Sequence, residues 1–298
     1  MMSDEKHTRA ELRLGLVGAG IGRSLTPRMH EREAARMGIT CRYELLDVDT
    51  FDAPPVLAAL LDRAQADGWR GLNVTHPCKH EVVDLLDDVS AEARLLQAVN
   101  TVVFEGGRRT GHNTDWSGFA EGLRRGLPDA ALGEVVVLGA GGAGAAVVLA
   151  LLRSGAERVH VLDADRARAE ALATRLQDAG DGAVTASAVD ALGPLLARVD
   201  GLVHATPTGM AATPGSAVEP ALLHDGLWVA DVVYRPLETE LLRNARDAGC
   251  VTLDGGGMAV FQAVHAFALF TGLQADSDRM AQTFAEAIDE EGQTWTRA

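Results

Sequence analysis

The sequence predicts a two-domain α/β protein whose second domain is a Rossmann-type, doubly wound sheet. Three observations predict it. Short β-rich runs alternate with amphipathic stretches along the whole chain, as parallel strands with crossover helices require. A glycine-rich turn, GAGGAG, stands between an apolar β run and an apolar helical run. The chain has 298 residues, room for about two domains of ordinary size.

In the first half, residues 14–17 read as a strand and 27–37 as a helix with Pro27 in its first turn. Residues 42–47 form a second strand. In the helix that follows, Val56, Leu57, Leu60, Leu61 and Ala64 share one face. Residues 71–74 and 99–105 are further strands. A second series begins at Val135, with strands at 135–138, 158–162, 183–186, 201–204, 228–232 and 251–253. The tail reads as two helices, 258–270 and 276–288. No internal repeat or low-complexity linker interrupts the pattern, so the boundary is placed in a helix near 117–126. One domain then comprises 1–117 and 257–298, and the other 118–256.

Hydrophobic residues make up 47% and charged residues 23%, the mix of a globular chain. The net charge of −15, without a basic run, speaks against a nucleic-acid partner and against an anionic membrane surface. Cys41, Cys78 and Cys250 are far apart and form no C-x-x-C pair, which favours a reducing compartment, the cytoplasm. The polar first residues carry no signal peptide, and no apolar run approaches the roughly 20 residues of a membrane helix.

The strongest local signal is EVVVLGAGGAGAAVVLALLRSG. Gly139, Gly141 and Gly144 form G-x-G-x-x-G between strand and helix. The first permits the tight turn, the second lets backbone approach a pyrophosphate, and the third lets helix pack on strand. Amides at the helix start then face the phosphates. The next strand ends at Asp163, nineteen positions beyond Gly144, close to the roughly 20 expected of an acid that binds the adenosine ribose. A carboxylate there repels a 2′-phosphate and favours NAD over NADP. The alternative reading of Asp163 is a cap for the next helix. Arg166 and Arg168 follow, and an arginine there keeps NADP open.

Polar residues cluster at the strand ends of the first domain, where α/β sheets bind ligands. GRSLTPRMH carries Ser24 and Thr26; GLNVTHPCKHE carries Asn73, Thr75 and Lys79. AVNTVV carries Asn100 and Thr101, and TGHNTDWSGF carries Asn113, Thr114 and Asp115. Together with the glycine turn, DVVYRPLET and GGGMAVFQA, these segments resemble the shikimate dehydrogenase family, motif by motif and in family order, from Gly15 to about Phe284. The resemblance implies a substrate-binding α/β domain beside the dinucleotide-binding one. It makes Lys79 and Asp115 the catalytic pair. It implies that Ser24 and Thr26 hold the substrate carboxylate, and that Thr75, Asn100, Tyr234 and Gln262 contact the ring substituents. For the cofactor it implies Gly139, Ala140, Gly141, Gly142 and Ala143 at the turn, Asp163 and Arg168 at the adenosine end, Val232 and Gly255 beside the nicotinamide, and Thr206 as a further cofactor-binding residue. The implied activity is reversible oxidation of a ring hydroxyl of shikimate or quinate, with a small-molecule substrate and room for a homodimer.

The chemistry of the residues agrees. Oxidising a secondary alcohol requires removal of its hydroxyl proton, and ketone reduction requires that proton's return. A lysine does both when a carboxylate orients it; alcohol oxidation is then expected to accelerate as pH rises from neutral. Taken singly, Lys79 reads as a solvated surface lysine, Asp115 as an N-cap, and Ser24 and Thr26 as turn and cap residues.

Several positions depart from the family's commoner pattern. Thr26 stands for serine, Asp163 for the start of an N-R-T-like basic motif, and His112 and Trp116 for tyrosine and a small residue. These departures are nearer the NAD-dependent quinate/shikimate branch than the NADP-dependent biosynthetic one, with aminoquinate and aminoshikimate dehydrogenases as the neighbouring alternative. A regulatory protein of this fold that only binds quinate or NAD is expected to lose the base. A folate one-carbon dehydrogenase is disfavoured by the Ser24/Thr26 pair and Gln262. His76, Cys78 and His80 lack a third ligand cluster, and Pro77 disfavours a helical start, so no metal site is expected. Cys78 reads as a buried, inert thiol, His265 as a packed or hydrogen-bonded helix residue, and Met210, Met258 and Phe261 as pocket wall or core.

Overall fold

A computed structural model of the chain describes residues 11–51 and 56–295. Two six-stranded sheets organise it. The first is built from β1 (Leu12–Gly18), β2 (Cys41–Asp47), β3 (Gly71–Val74), β4 (Asp88–Val89), β5 (Thr101–Glu105) and β6 (Arg108–His112), in the order β2-β1-β3-β5-β6-β4. The helices α1 (Thr26–Arg36), α2 (Leu57–Ala66) and α3 (Ala91–Leu96) lie among these strands in sequence. The second sheet comprises β7 (Glu134–Leu138), β8 (Arg158–Leu162), β9 (Ala183–Ser187), β10 (Gly201–His204), β11 (Trp228–Asp231) and β12 (Val251–Leu253). It is parallel throughout, in the order β12-β11-β10-β7-β8-β9. That is the doubly wound order, with its switch point between β7 and β10.

Helix α4 (Asp115–Gly126) carries the chain from the first sheet to the second. There α5 (Gly142–Arg153), α6 (Arg166–Leu176), α7 (Leu192–Leu196) and α8 (Glu240–Asp247) connect the strands. Helix α9 (Gly256–Thr271) brings the chain back, and α10 (Ser277–Glu290) follows it. Phe261, Phe267, Met280 and Phe284 of the last two helices share one apolar core with Met29 of α1. The crossing of α4 and α9 is close because glycines line it. A Cβ on Gly118 would lie 2.6 Å from the Gln262 backbone nitrogen, and one on Gly122 3.3 Å from Gly257.

Two expectations are corrected. The first sheet is mixed, not parallel: β5 runs antiparallel to both β3 and β6. Gly106 and Gly107, with φ of +58° and +78°, form the two-residue turn that such a hairpin needs. The RRTGH of β6 has no apolar alternation to announce a strand. Val56 does not share the buried face of α2: it caps the helix and is 69% exposed, whereas Leu57, Leu61 and Ala64 are buried. Among the described residues no helix is long and apolar enough to cross a membrane, and the three cysteines are free thiols.

His30 of α1 is fully buried; its Nδ1 faces the Thr26 carbonyl at 3.0 Å, and Nε2 has no hydrogen-bond partner among the described residues. Its ring packs against Tyr43, Phe267 and Phe270. Burial pushes its pKa down to about 4. The unfolded chain, with a histidine near the ordinary value, therefore binds the proton first as pH falls, and stability drops between about 6.5 and 4. Urea unfolding at pH 7 and pH 5 should show His30 costing about 2 kcal/mol over that interval. His30→Leu should remove that part of the loss; an unchanged pH dependence would refute it.

Candidate active site

Strand β3 is buried along its whole length between β1 and β5, so the residues just after it open onto the end of the sheet. Cys78 turns inward to pack with Val17, Leu57 and Val74, and burial pushes its thiol pKa up, the opposite of an activated nucleophile. Lys79 points the other way. Its carbonyl is tied by the Val99 amide at 2.9 Å, and its Nζ donates to Asp115 Oδ2 at 2.7 Å. The side chains are 20% and 8% exposed, respectively. Asp115 is the first residue of α4, where the helix dipole favours a negative charge.

A buried polar chain fixes that carboxylate. Asn100 Nδ2 donates to Asp115 Oδ1 at 2.8 Å and to Thr114 Oγ1 at 2.9 Å. Asn100 Oδ1 accepts from the Thr114 amide at 2.8 Å and from Thr101 Oγ1 at 3.0 Å. Thr101 Oγ1 accepts from Asn73 Nδ2, and Asn73 Oδ1 accepts from the Tyr43 hydroxyl at 2.8 Å. The Asp115 amide is met by Asn113 Oδ1. Every member is hydrogen-bonded, so the network rigidifies the pair. Both N–H groups of Asn100 are already engaged within the protein, which places this side chain behind Asp115. Thr114 holds the N-cap position of α4 without a side-chain capping bond, and the two Asp115 oxygens go to Lys79 and Asn100.

Ser24 and Thr26 stand together before and at the start of α1. Ser24 Oγ donates to Thr26 Oγ1 at 3.1 Å and accepts from the Thr26 amide at 3.3 Å. Thr75 follows β3, with its amide on the Val17 carbonyl. Gln262 lies on α9 with Nε2 turned to the Ala259 carbonyl, and its backbone rests on Gly118 of the helix that begins with Asp115. Tyr234 follows β11, and burial pushes its hydroxyl pKa up. His265 meets Ser117 Oγ at 2.7 Å.

The glycine turn has the shape a pyrophosphate needs. Gly139 has φ +106°, and a Cβ on Gly144 would lie 1.9 Å from the Gly139 carbonyl, whereas one on Gly141 would meet open space. The amides at the start of α5 are thus free to face an anion. A Cβ on Gly142 would lie 4.0 Å from Lys79 Cδ and 3.9 Å from His80 Nε2, so the turn and the lysine lie side by side. Asp163 follows β8, but its carboxylate already accepts from the Ala140 amide at 2.7 Å and the Asp165 amide at 2.9 Å. The cap of α6 is Asp165, not Asp163. Arg168, 60% exposed, lies 3.9 Å from Asp165. A Cβ on Gly255 would lie 2.5 Å from the Val232 carbonyl, so only glycine lets α9 start against the end of β11.

This geometry has known counterparts. The model for the shikimate dehydrogenase substrate binding domain matches residues 16–102, and that for a saccharopine dehydrogenase NADP binding domain matches residues 135–213. A shikimate dehydrogenase (NADP(+)) of Streptomyces avermitilis is 59% identical over 92% of this chain and 94% of its own length. The chain belongs to the shikimate dehydrogenase family. It is an oxidoreductase of the class that acts on CH–OH groups with NAD(P), built as a two-domain α/β fold. A quinate/shikimate dehydrogenase (NAD(+)) of Corynebacterium efficiens is 50% identical over 91% of this chain and 96% of its own. The quinate dehydrogenase from Corynebacterium glutamicum in complex with NAD superposes with a TM-score of 0.88 at 47% identity, covering 93% of this chain and 99% of that one. Relatives of both cofactor types thus stand close to this family member.

The residues the sequence reading left without a role are those of the buried network: Tyr43, Asn73 and Thr101 behind Asn100, and His204 with Asp231 at the ends of β10 and β11. Asn73, Thr101 and Asp231 lay in recognisable motif segments, whereas Tyr43 lay on the second strand outside them. The signal for His204 was a polar residue closing an apolar strand.

Proposed function

We propose that the protein catalyses the reversible NAD-dependent oxidation of shikimate to 3-dehydroshikimate, of quinate to 3-dehydroquinate, or of both. One observation carries this reading: the Lys79–Asp115 pair, 2.7 Å apart, lies beside the glycine turn, with Lys79 Cδ 4.0 Å from where a Cβ on Gly142 would be. Bound NAD supplies the hydride acceptor. Lys79 Nζ takes the proton of the ring hydroxyl during oxidation and returns it during reduction. Asp115, held by Asn100, fixes the position of Nζ. Ser24 and Thr26, hydroxyls at a helix start, bind the substrate carboxylate, and Thr75, Asn100, Tyr234 and Gln262 meet the ring. The cofactor lies along Gly139, Ala140, Gly141, Gly142 and Ala143, with Asp163 at the adenosine ribose, Val232 and Gly255 at the nicotinamide, and Thr206 as a further contact. Residues 1–117 and 257–298, of which 1–10, 52–55 and 296–298 lie outside the described residues, make up the substrate domain, and 118–256 the cofactor domain.

The preference for NAD rests on Asp163, whose charge disfavours a 2′-phosphate. The Streptomyces relative named for NADP(+) favours the second reading, NADP-dependent shikimate oxidation, with Arg168 as the phosphate partner. An aminoquinate or aminoshikimate substrate would use the same pair. A sensor without turnover fits poorly, since base and carboxylate are both retained. Reduced cofactor appearing at about 340 nm on adding shikimate or quinate tests the reaction, and kcat/KM for each substrate with NAD and NADP ranks the readings. Absence of turnover with every pairing would overturn the proposal.

A further inference from the structure

At the ends of β10 and β11, His204 and Asp231 are register partners, 1% and 2% exposed. Asp231 Oδ1 lies 2.9 Å from His204 Nδ1 and accepts the Val233 amide at 3.0 Å; Oδ2 accepts the Thr239 hydroxyl at 2.8 Å. A carboxylate surrounded by donors requires the proton on His204 Nδ1. In the neutral ring Nε2 is then the acceptor, and it lies 2.5 Å from Thr206 Oγ1. The Thr206 hydroxyl proton is thereby committed to His204. One lone pair of Oγ1 takes the Thr208 amide at 3.3 Å. The other remains, on a residue that is half-buried.

Thr206 stands at the cofactor turn, its Cγ2 3.1 Å from where a Cβ on Gly139 would be. Asp163 follows β8 on one side of β7, and Thr206 follows β10 on the other. A dinucleotide straddling the switch point puts its adenosine half over β8 and its nicotinamide half over β10. We propose that His204, held by Asp231, is a positioning residue that fixes the Thr206 hydroxyl as a hydrogen-bond acceptor for the nicotinamide half of the cofactor. The group it recognises must donate: a carboxamide N–H or a ribose hydroxyl. A phosphate, which only accepts, is refused at this point. The inference rests on the dinucleotide reading given above.

Calorimetric titration of the full-length protein with NAD and with ADP, which lacks the nicotinamide riboside, tests it. Thr206→Val keeps the side-chain shape and removes the hydroxyl. It should weaken NAD about tenfold, as loss of a hydrogen bond at a partly buried site does, and leave ADP within about twofold. Thr206→Ser should restore parental NAD affinity. His204→Ala should match Thr206→Val, and the double variant should be no worse than either single one, because one residue acts through the other. If His204→Ala does not fold, the threonine pair decides alone. Parental NAD affinity in Thr206→Val, equal losses for NAD and ADP, or additive losses in the double variant would overturn the inference. A parent that binds neither NAD nor ADP would instead overturn the dinucleotide reading.

Discussion

Lys79→Ala is expected to lower kcat by about 10²- to 10⁴-fold, the range for losing a positioned general acid–base, while NAD binding changes little. The expectation follows from the geometry around the pair. Lys79 Nζ is the cation against Asp115 Oδ2, and Asp115 Oδ1 keeps its bond from Asn100 when the lysine is gone. The carboxylate also stays at the start of α4, so the fold should hold. A water replacing the ammonium takes a proton poorly and is not held in place. The measurement is steady-state kinetics in both directions, with the melting temperature and the NAD dissociation constant taken on the same preparation. Parental turnover by the folded variant, under conditions where chemistry limits the rate, would remove lysine from the mechanism.

The second large effect is expected at the adenosine end. Asp163→Asn combined with Ala164→Arg should shift the NAD-to-NADP ratio of kcat/KM by about 10²-fold toward NADP. Each change contributes a charged hydrogen bond or a removed repulsion of about 1.5 kcal/mol. Asparagine is chosen because Asp163 Oδ2 accepts the Ala140 amide in the glycine turn. An amide oxygen preserves that bond, whereas alanine would loosen the turn and weaken both cofactors alike. Kinetics against each cofactor at saturating substrate read the outcome. An unmoved ratio would mean that Asp163 serves the turn and not the ribose.

What the sequence made legible was local. Strands β3, β8, β10 and β12 fall on the expected residues because each is a short apolar run closed by a glycine, threonine or charged residue. The glycine turn was readable because its three glycines answer three separate steric demands. Lys79 and Asp115 were named from motifs, yet their contact spans 36 positions, and it takes the pairing of β3 with β5 and of β5 with β6 to bring their segments together. The mixed sheet was missed because β6 has no apolar alternation, although the double glycine before it marked a hairpin. Val56 was misplaced because helical periodicity gives a direction without saying where the helix starts. The orientation of Asn100 and the link from His204 to Thr206 depend on which atoms meet across strands, and no spacing rule encodes that.

The glycine-lined crossing of α4 and α9 has a mechanical consequence. Both passages of the chain between the sheets lie in that crossing, with backbone against backbone at Gly118 and Gln262. Such a joint resists sliding, since any side chain larger than hydrogen would already collide there. Gln262 and Asp115 both belong to the helices of this crossing, so their spacing is set by one backbone contact and not by the loops around them.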